Sequence, residues 1–176
     1  EKYKNVLLFN DVINFSYTVG VFSKSYNPED TVYVIFTSGS TGNPKGVMVK
    51  NIGLTNYVCW AKKQYFDDIE TFPLFTSLAF DLTVTSLFTP LISGGKIKVY
   101  NNEQNHFPLF QILDENACTI MKLTPAHLLL IANEEYASST LKKFIVGGDN
   151  LSAHLAQKIY NMFGRQIEIY NEYGPT

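Results

Sequence analysis

Residues 32–50, VYVIFTSGSTGNPKGVMVK, combine an apolar run with a loop rich in glycine and in hydrogen-bond donors. The β-branched and aromatic side chains of 31–37 predict a buried strand that leads into the loop, and 46–49 predict a short second strand. Glycine lets the backbone turn where a Cβ would clash, so that successive N–H groups can face one concavity. Such a loop is suited to holding polyphosphate. Its glycine, hydroxyl and ammonium groups belong to Thr37, Ser38, Gly39, Ser40, Thr41, Gly42, Lys45 and Gly46.

The loop differs from two common phosphate-binding motifs. A Walker loop requires Gly-Lys-Ser/Thr four residues after a glycine, and this sequence is absent here. The glycine spacing also differs from the dinucleotide fingerprint, and no helical pattern begins directly after it. Composition alone therefore leaves a phosphate site and a polar surface loop as equal alternatives.

Three segments together resemble the adenylate-forming enzymes, a family that includes acyl-CoA synthetases, luciferases and the adenylation domains of nonribosomal peptide synthetases. TSGSTGNPKGV resembles their phosphate loop, and LAFDLTVTSLF (78–88) resembles the aspartate-bearing segment of amino-acid-activating members. NEYGPT (171–176) resembles their adenine-binding segment, and the tryptophan-bearing helix near Trp60 fits the peptide-synthetase branch. The resemblance covers nearly the whole chain.

Composition narrows the class of protein. The chain has 176 residues, of which 45% are hydrophobic and 14% aromatic, so one domain can bury a core and disorder is excluded. A net charge of −2 without a basic run argues against nucleic-acid binding. The sequence has no long apolar span, no signal peptide and no CxxC spacing around Cys59 and Cys118, which argues against a membrane protein, a zinc site and a disulfide framework. These features predict a cytoplasmic protein.

Apolar and amphipathic segments alternate along the chain. Strands are predicted near 6–9, 72–75, 96–100, 119–123, 144–146 and 167–170, and helices near 51–65, 82–91, 109–116, 125–132 and 152–163. This alternation predicts an α/β fold with a mostly parallel, doubly wound sheet and helices on both faces. The resemblance implies part of the large N-terminal region of an adenylate-forming enzyme. Residues 1–30 would be a partial upstream strand and connection, and 31–176 the adenylation core, truncated at both ends.

Polar or glycine positions follow the ends of several predicted strands, where doubly wound sheets bind ligands. The resemblance implies that seven of the residues near these ends form an amino-acid pocket, in which Asp81 pairs with the substrate α-ammonium group. These residues are Asp81, Leu82, Thr85, Lys122, Ile145, Gly147 and Glu172. From pattern alone, Asp81 is an N-cap residue, and Lys122 and Glu172 form a structural ion pair. Thr83 stands where the family usually has serine.

The resemblance also implies a nucleotide site. Tyr173 would stack on adenine and Asn171 would meet the base edge, with Gly148 and Asp149 in the same wall, although 171–175 could also be a plain turn. Thr176 would contact the α-phosphate and, with Lys45, would act as a catalytic residue by neutralising charge.

The histidines form no pattern of this kind. His106, His127 and His154 have no metal or nucleophile spacing, so they are interpreted as structural, and no metal-ligating residue is predicted. His127 lies nearest the predicted pocket because it follows Pro125.

The implied reaction is the attack of an amino-acid carboxylate on the α-phosphate of ATP, with Mg²⁺ as cofactor, followed by transfer to the phosphopantetheine thiol of a carrier domain. Carrier and condensation domains of the same synthetase are the expected partners. The family's magnesium-binding glutamate, ribose-binding aspartate and catalytic lysine lie beyond these residues, so the chain alone is expected to be inactive. Another acyl- or aryl-acid ligase and a non-enzymatic nucleotide-binding module are the alternatives, and Asp81 argues against the ligase.

The pocket series resembles that of asparagine-activating members. Lys122 offers donors alone and ionised Glu172 acceptors alone, so together they match a carboxamide. Aspartate is the alternative, because aspartate activators share the first four pocket residues and have histidine where Glu172 stands. Ile145 departs from the expected leucine.

Overall fold

The computed structural model describes residues 27–38, 43–101, 108–134 and 140–174. The predicted strand at 6–9 and His106 lie outside these residues. The described strands are β1 Thr31–Thr37, β2 Lys45–Lys50, β3 Thr71–Leu74, β4 Lys96–Val99, β5 Ile120–Leu123, β6 Lys143–Val146 and β7 Glu168–Asn171. The described helices are α1 Asn51–Tyr65, α2 Leu82–Ser93, α3 Pro108–Glu115, α4 Pro125–Asn133 and α5 Ala153–Met162.

The first two strands form an antiparallel hairpin in which Thr37 lies opposite Lys45. The prediction that β1 is buried was wrong, because Ile35 is its one buried side chain and Phe36 remains 69% exposed. Helix α1 packs against this two-stranded sheet, and no other described helix or strand covers it to a comparable extent. Gly46 permits close cross-strand packing, since a Cβ there would lie 3.1 Å from Cγ1 of Val34.

The remaining strands run parallel. β3 pairs with β4, and β5, β6 and β7 form a second parallel ladder in that order. The two ladders meet where the backbone N–H of Thr119, just before β5, donates to the carbonyl of Thr71 in β3 at 2.9 Å. The predicted α/β fold with parallel strands is therefore confirmed.

Alternate residues of the central strands face two different apolar layers, as the period of a strand requires. In β5, Met121 and Leu123 join a cluster with residues of α3, α4 and α5, whereas Ile120 joins a cluster with Ala61 and Tyr65 of α1. Helices thus cover both faces of this sheet. Lys122 lies on the face of the sheet that α1 covers, so its ammonium group can contact residues of α1.

His127 has a local structural task at the start of α4. Its Nδ1 accepts a hydrogen bond from the backbone N–H of Thr124 at 3.2 Å, while its own N–H donates to Oγ1 of Thr124, which completes a capping box. Burial lowers the pKa of His127, so the ring is neutral at neutral pH and can accept this bond.

Two classes of feature are absent from the described ranges. No helix there is long and apolar enough to cross a bilayer. No cluster of three or more His, Cys, Asp or Glu side chains there could hold a metal ion. Cys59 is exposed and Cys118 buried, and both are free thiols.

Candidate functional site

A cavity of about 800 Å³ opens at the carboxyl ends of β5, β6 and β7, between these strands and helices α1 and α2. In sheets of this type, ligands bind at the carboxyl ends of the strands, where the chain leaves the sheet and its backbone groups are available to a ligand. Of the predicted pocket and nucleotide residues, Asp81, Leu82, Lys122, Gly147, Gly148, Asn171, Glu172 and Tyr173 line the cavity.

Lys122 is the charged group at the floor of the cavity. Its side chain is 6% exposed, and its ammonium group forms an ion pair with Oε2 of Glu172. The same ammonium donates to Oγ1 of Thr85 at 2.5 Å and to Oη of Tyr57 at 3.2 Å. All three donors of the lysine are therefore engaged, which offsets the cost of burying its charge.

Glu172 receives donors on both carboxylate oxygens. Oε1 accepts from the hydroxyl of Tyr65 at 2.5 Å and from that of Tyr57 at 3.1 Å. Oε2 accepts from Lys122 and, at 3.4 Å, from the same Tyr57 hydroxyl. Burial and the charge of Glu172 raise the pKa of Tyr57, and burial and the hydrogen bond to Glu172 raise the pKa of Tyr65. Both hydroxyls therefore stay protonated and act as donors.

The ion pair between Lys122 and Glu172 that the sequence pattern predicts is therefore present in the structure. The pair lies in the cavity wall, and Glu172 remains 20% exposed there. The ion pair can therefore both stabilise the fold and bind a ligand, because the carboxylate of Glu172 still faces the cavity.

Asp81 occupies the N-cap position of α2, but its side chain makes no capping hydrogen bond. The interpretation of Asp81 as an ordinary side-chain cap is therefore wrong, and its carboxylate lines the cavity instead. Together with burial, its negative charge raises the pKa of Tyr33, which lines the same cavity. Thr83 secures the preceding loop, since its hydroxyl donates to the carbonyl of Ser77 at 2.8 Å.

Two predicted pocket residues lie beneath the cavity surface. Thr85 and Ile145 are fully buried and are not among the cavity-lining residues. Thr85 reaches the site through its bond to Lys122, and Ile145 packs in the α1 cluster. Gly147 has little room for a side chain, because a Cβ would lie 3.2 Å from the carbonyl oxygen of Glu172 and 3.3 Å from Cδ1 of Leu82.

The described nucleotide residues lie at the rim of the cavity. Gly148, Asn171 and Tyr173 line it, and Tyr173 is 96% exposed. Asp149 is not among the lining residues, and its Oδ1 accepts from the N–H of Asn150 at 2.7 Å.

The described residues of the predicted phosphate loop lie at the end of β1 and the start of β2. Thr37, Ser38 and Lys45 flank its described ends, with Lys45 exposed, and none of the three lines the cavity. The remaining predicted loop residues, Gly39, Ser40, Thr41 and Gly42, and the predicted phosphate contact Thr176, lie outside the described residues.

Sequence reasoning missed the tyrosines of α1 as site residues. Tyr57, Ala61 and Tyr65 recur every four residues, and this spacing places them on one face of the helix that was predicted near 51–65. The sequence feature that could have identified them is chemical. Two of the three side chains carry hydroxyl groups, and the apolar strand at 120–123 is interrupted by a lysine, which needs polar partners.

A parallel α/β sheet with a polar cavity at its strand ends is typical of enzymes that bind small molecules. Residues 10–176 match the family model described as AMP-binding enzyme, and the chain belongs to that family. The predicted resemblance to adenylate-forming enzymes is thereby confirmed.

Several characterised proteins are similar to this chain. Tyrocidine synthase 3 of Brevibacillus parabrevis is 49% identical over 156 residues, or 88% of the chain. Bacitracin synthase 3 of Bacillus licheniformis is 45% identical over 163 residues, or 92% of the chain. The chain spans 2% and 3% of the lengths of these two relatives.

A solved structure shares the fold. It is that of the Vibrio cholerae adenylation domain AlmE in complex with glycyl-adenosine-5'-phosphate, with a TM-score of 0.78 and 26% identity. The match covers 88% of this chain and 30% of that chain.

Proposed function

We propose that the chain is part of the adenylation domain of a nonribosomal peptide synthetase that activates L-asparagine with ATP. The observation that carries the proposal is the meeting of Lys122 and Glu172 in the wall of a cavity that Asp81 also lines. Residues 31–176 would form the core of the domain, and residues 1–30 its upstream strand and connection. The similarity to an adenylation domain that binds an aminoacyl adenylate supports the reaction class.

Asp81 would bind the α-ammonium group of the amino acid. Asp81 lines the cavity, and its negative charge can pair with a cation bound there. Fatty-acid and aryl-acid substrates lack this cation, and the presence of Asp81 therefore favours an amino acid.

Lys122 and Glu172 would bind the carboxamide of the side chain. The amide carbonyl accepts from the lysine, and the amide NH₂ donates to the glutamate. Because all three lysine donors are engaged, the substrate carbonyl would displace the longest contact, the one of 3.2 Å to Tyr57. Glutamine is one methylene longer, which costs about 1–3 kcal/mol, and leucine offers neither group a partner.

Aspartate is the second candidate. Its side-chain carboxylate could accept from Lys122, but it would meet the negative charge of Glu172 in the same wall. Repulsion between the two carboxylates is the physical reason to rank aspartate below asparagine.

The chemical step would be attack by an oxygen of the asparagine carboxylate on the α-phosphorus of ATP. The bond between that phosphorus and the oxygen bridging to the β-phosphate breaks, and pyrophosphate leaves. The chain would contribute alignment of the substrate by Asp81 and the Lys122–Glu172 pair. Gly148, Asn171 and Tyr173 would contact the nucleotide, Lys45 would neutralise phosphate charge, and the hydroxyl of Thr176 would donate a hydrogen bond to the α-phosphate. Asp149, Thr37 and the residues of the phosphate loop complete the proposed nucleotide site.

Mg²⁺ would neutralise phosphate charge when bound with ATP. The described residues provide no cluster of three ligands for it, so we assign none of them to the metal. The aminoacyl group would pass to the phosphopantetheine thiol of a carrier domain, next to a condensation domain, in a synthetase that we place in the cytoplasm.

The proposal predicts the outcome of a substrate panel. In amino-acid-dependent ATP–pyrophosphate exchange by the complete enzyme, asparagine should give the highest kcat/KM of the twenty amino acids, with aspartate well below it. A higher value for aspartate, or for an amino acid without a carboxamide, would overturn the assignment.

Lys45→Ala tests the phosphate loop separately. We expect kcat/KM for ATP to fall about 10- to 100-fold, the range for losing a hydrogen bond to a charged group, with the KM for the amino acid little changed. Lys50→Ala is the matched control, because Lys50 is an exposed lysine at the other end of β2 whose partner is Glu29. Unchanged ATP kinetics in Lys45→Ala would refute the role of the loop lysine.

A further inference from the structure

The carboxylate of Glu172 has one oxygen that is occupied by tyrosine hydroxyls. A carboxylate offers about four acceptor positions, two on each oxygen. On Oε1, both positions are used by Tyr57 at 3.1 Å and Tyr65 at 2.5 Å. Oε2 receives the ion pair with Lys122 and a longer contact from the Tyr57 hydroxyl, at 3.4 Å against 3.1 Å to Oε1. Oε2 is therefore the less fully occupied oxygen, and a ligand N–H in the cavity would use it as the acceptor by displacing that long contact.

The two tyrosines differ in their surroundings. The hydroxyl of Tyr57 donates to Glu172, accepts from Lys122 and forms a third hydrogen bond with the hydroxyl of Thr85. Tyr65 donates its hydroxyl to Glu172, and the residue is 1% exposed.

Aromatic neighbours lock the ring of Tyr65. It packs edge-on against Trp60, with ring centroids 5.6 Å apart, and against Tyr170, with centroids 5.0 Å apart. Rotation of the ring would break both contacts, so the hydroxyl is held in one place. A short bond from a fixed donor orients the acceptor that receives it.

We propose that Tyr65 is a positioning residue for side-chain recognition, which fixes Oε1 of Glu172 and so turns Oε2 toward the substrate carboxamide. The inference rests on the proposed function, but it concerns a residue outside the predicted pocket series. Tyr65 would act through Glu172, not through a bond of its own to the substrate.

Tyr65→Phe in the complete enzyme tests the inference. The substitution removes the hydroxyl and keeps the ring between Trp60 and Tyr170. We expect kcat/KM for asparagine to fall about tenfold, in line with one hydrogen bond to a charged group, while the KM for ATP changes less than about twofold. Tyr100→Phe is the matched control, because Tyr100 is a buried tyrosine whose hydroxyl donates to another glutamate, Glu115, at 2.8 Å.

A double-mutant cycle separates positioning from general packing. If Tyr65 acts through Glu172, Tyr65→Phe should change kcat/KM for asparagine less than about twofold in a Glu172→Gln background, because the charged acceptor is already lost. An equal loss in both backgrounds would show a packing effect and would overturn the inference, as would a Tyr65→Phe enzyme that behaves like Tyr100→Phe.

The cycle also distinguishes the inference from the proposed function. If the unmutated enzyme prefers an amino acid other than asparagine, the proposed substrate is wrong, and the same cycle run with the preferred amino acid decides the role of Tyr65. If asparagine is preferred and the cycle shows no coupling, the substrate stands and the role of Tyr65 fails.

Discussion

Lys122→Met is expected to lower the kcat/KM for asparagine about 10- to 100-fold and to destabilise the enzyme by about 3 kcal/mol. The first effect is that of losing a hydrogen bond from a charged donor. The second is the lower end of about 3–5 kcal/mol for breaking a buried ion pair, because Glu172 keeps two tyrosine donors and partial exposure. Exchange kinetics and urea unfolding of the complete enzyme measure the two effects.

Lys143→Met is the matched control for this change. Lys143 is also a buried lysine, on the neighbouring strand β6, but its partners Asp67 and Glu168 are exposed at 68% and 53%. Both carboxylates stay hydrated when the lysine is removed, so we expect a loss of about 0–1 kcal/mol and no change in substrate preference. Equal effects of the two substitutions on asparagine kinetics would contradict the role given to Lys122.

On the proposed asparagine assignment, Glu172→His is expected to move the preference of the enzyme toward aspartate. The substitution removes the carboxylate that repels an aspartate side chain and supplies a ring N–H that can donate to it beside Lys122. The ratio of kcat/KM for asparagine to that for aspartate should fall about 100-fold, since one charged hydrogen bond is lost for the first substrate and one is gained for the second.

Glu168→His provides the comparison for the second prediction. Glu168 lies at the start of β7, is exposed, and accepts a hydrogen bond from Tyr170, and it does not line the cavity. The same change of residue type at this position should leave the ratio unaltered. A Glu172→His enzyme that loses activity for both amino acids without a change in their ratio would count against a carboxamide-reading role.

The strands and helices could be predicted because their signals are local. The runs at 120–123 and 143–146 are apolar and short, and helical spacing between them leaves a parallel arrangement as the simplest solution. The same reasoning placed Lys122 and Glu172 at one edge of the sheet, because parallel strands end together.

The exposure of β1 could not be predicted from its composition. The apolar composition of a strand does not show whether one or both of its faces are covered. In the described residues, helix α1 is the main neighbour of the β1–β2 hairpin, so most of β1 remains exposed. The depth of Thr85 and Ile145 is likewise a tertiary property, since it depends on how far α2 and β6 lie beneath the cavity floor.

The tyrosine contacts to Glu172 depend on residues that are distant in the chain. Tyr65 and Glu172 are 107 positions apart, and their bond forms because α1 lies across the end of β7. The sequence predicted a helix near 51–65, but the atom that each hydroxyl reaches depends on how that helix packs against the sheet.

Asn171, Glu172 and Tyr173 are consecutive residues that line one cavity. A shift of the backbone at any one of them is transmitted to its neighbours through a single peptide bond. In the proposed site, Asn171 and Tyr173 contact the nucleotide and Glu172 contacts the amino acid. A substitution at Glu172 that changes the amino-acid preference is therefore expected to raise the KM for ATP as well.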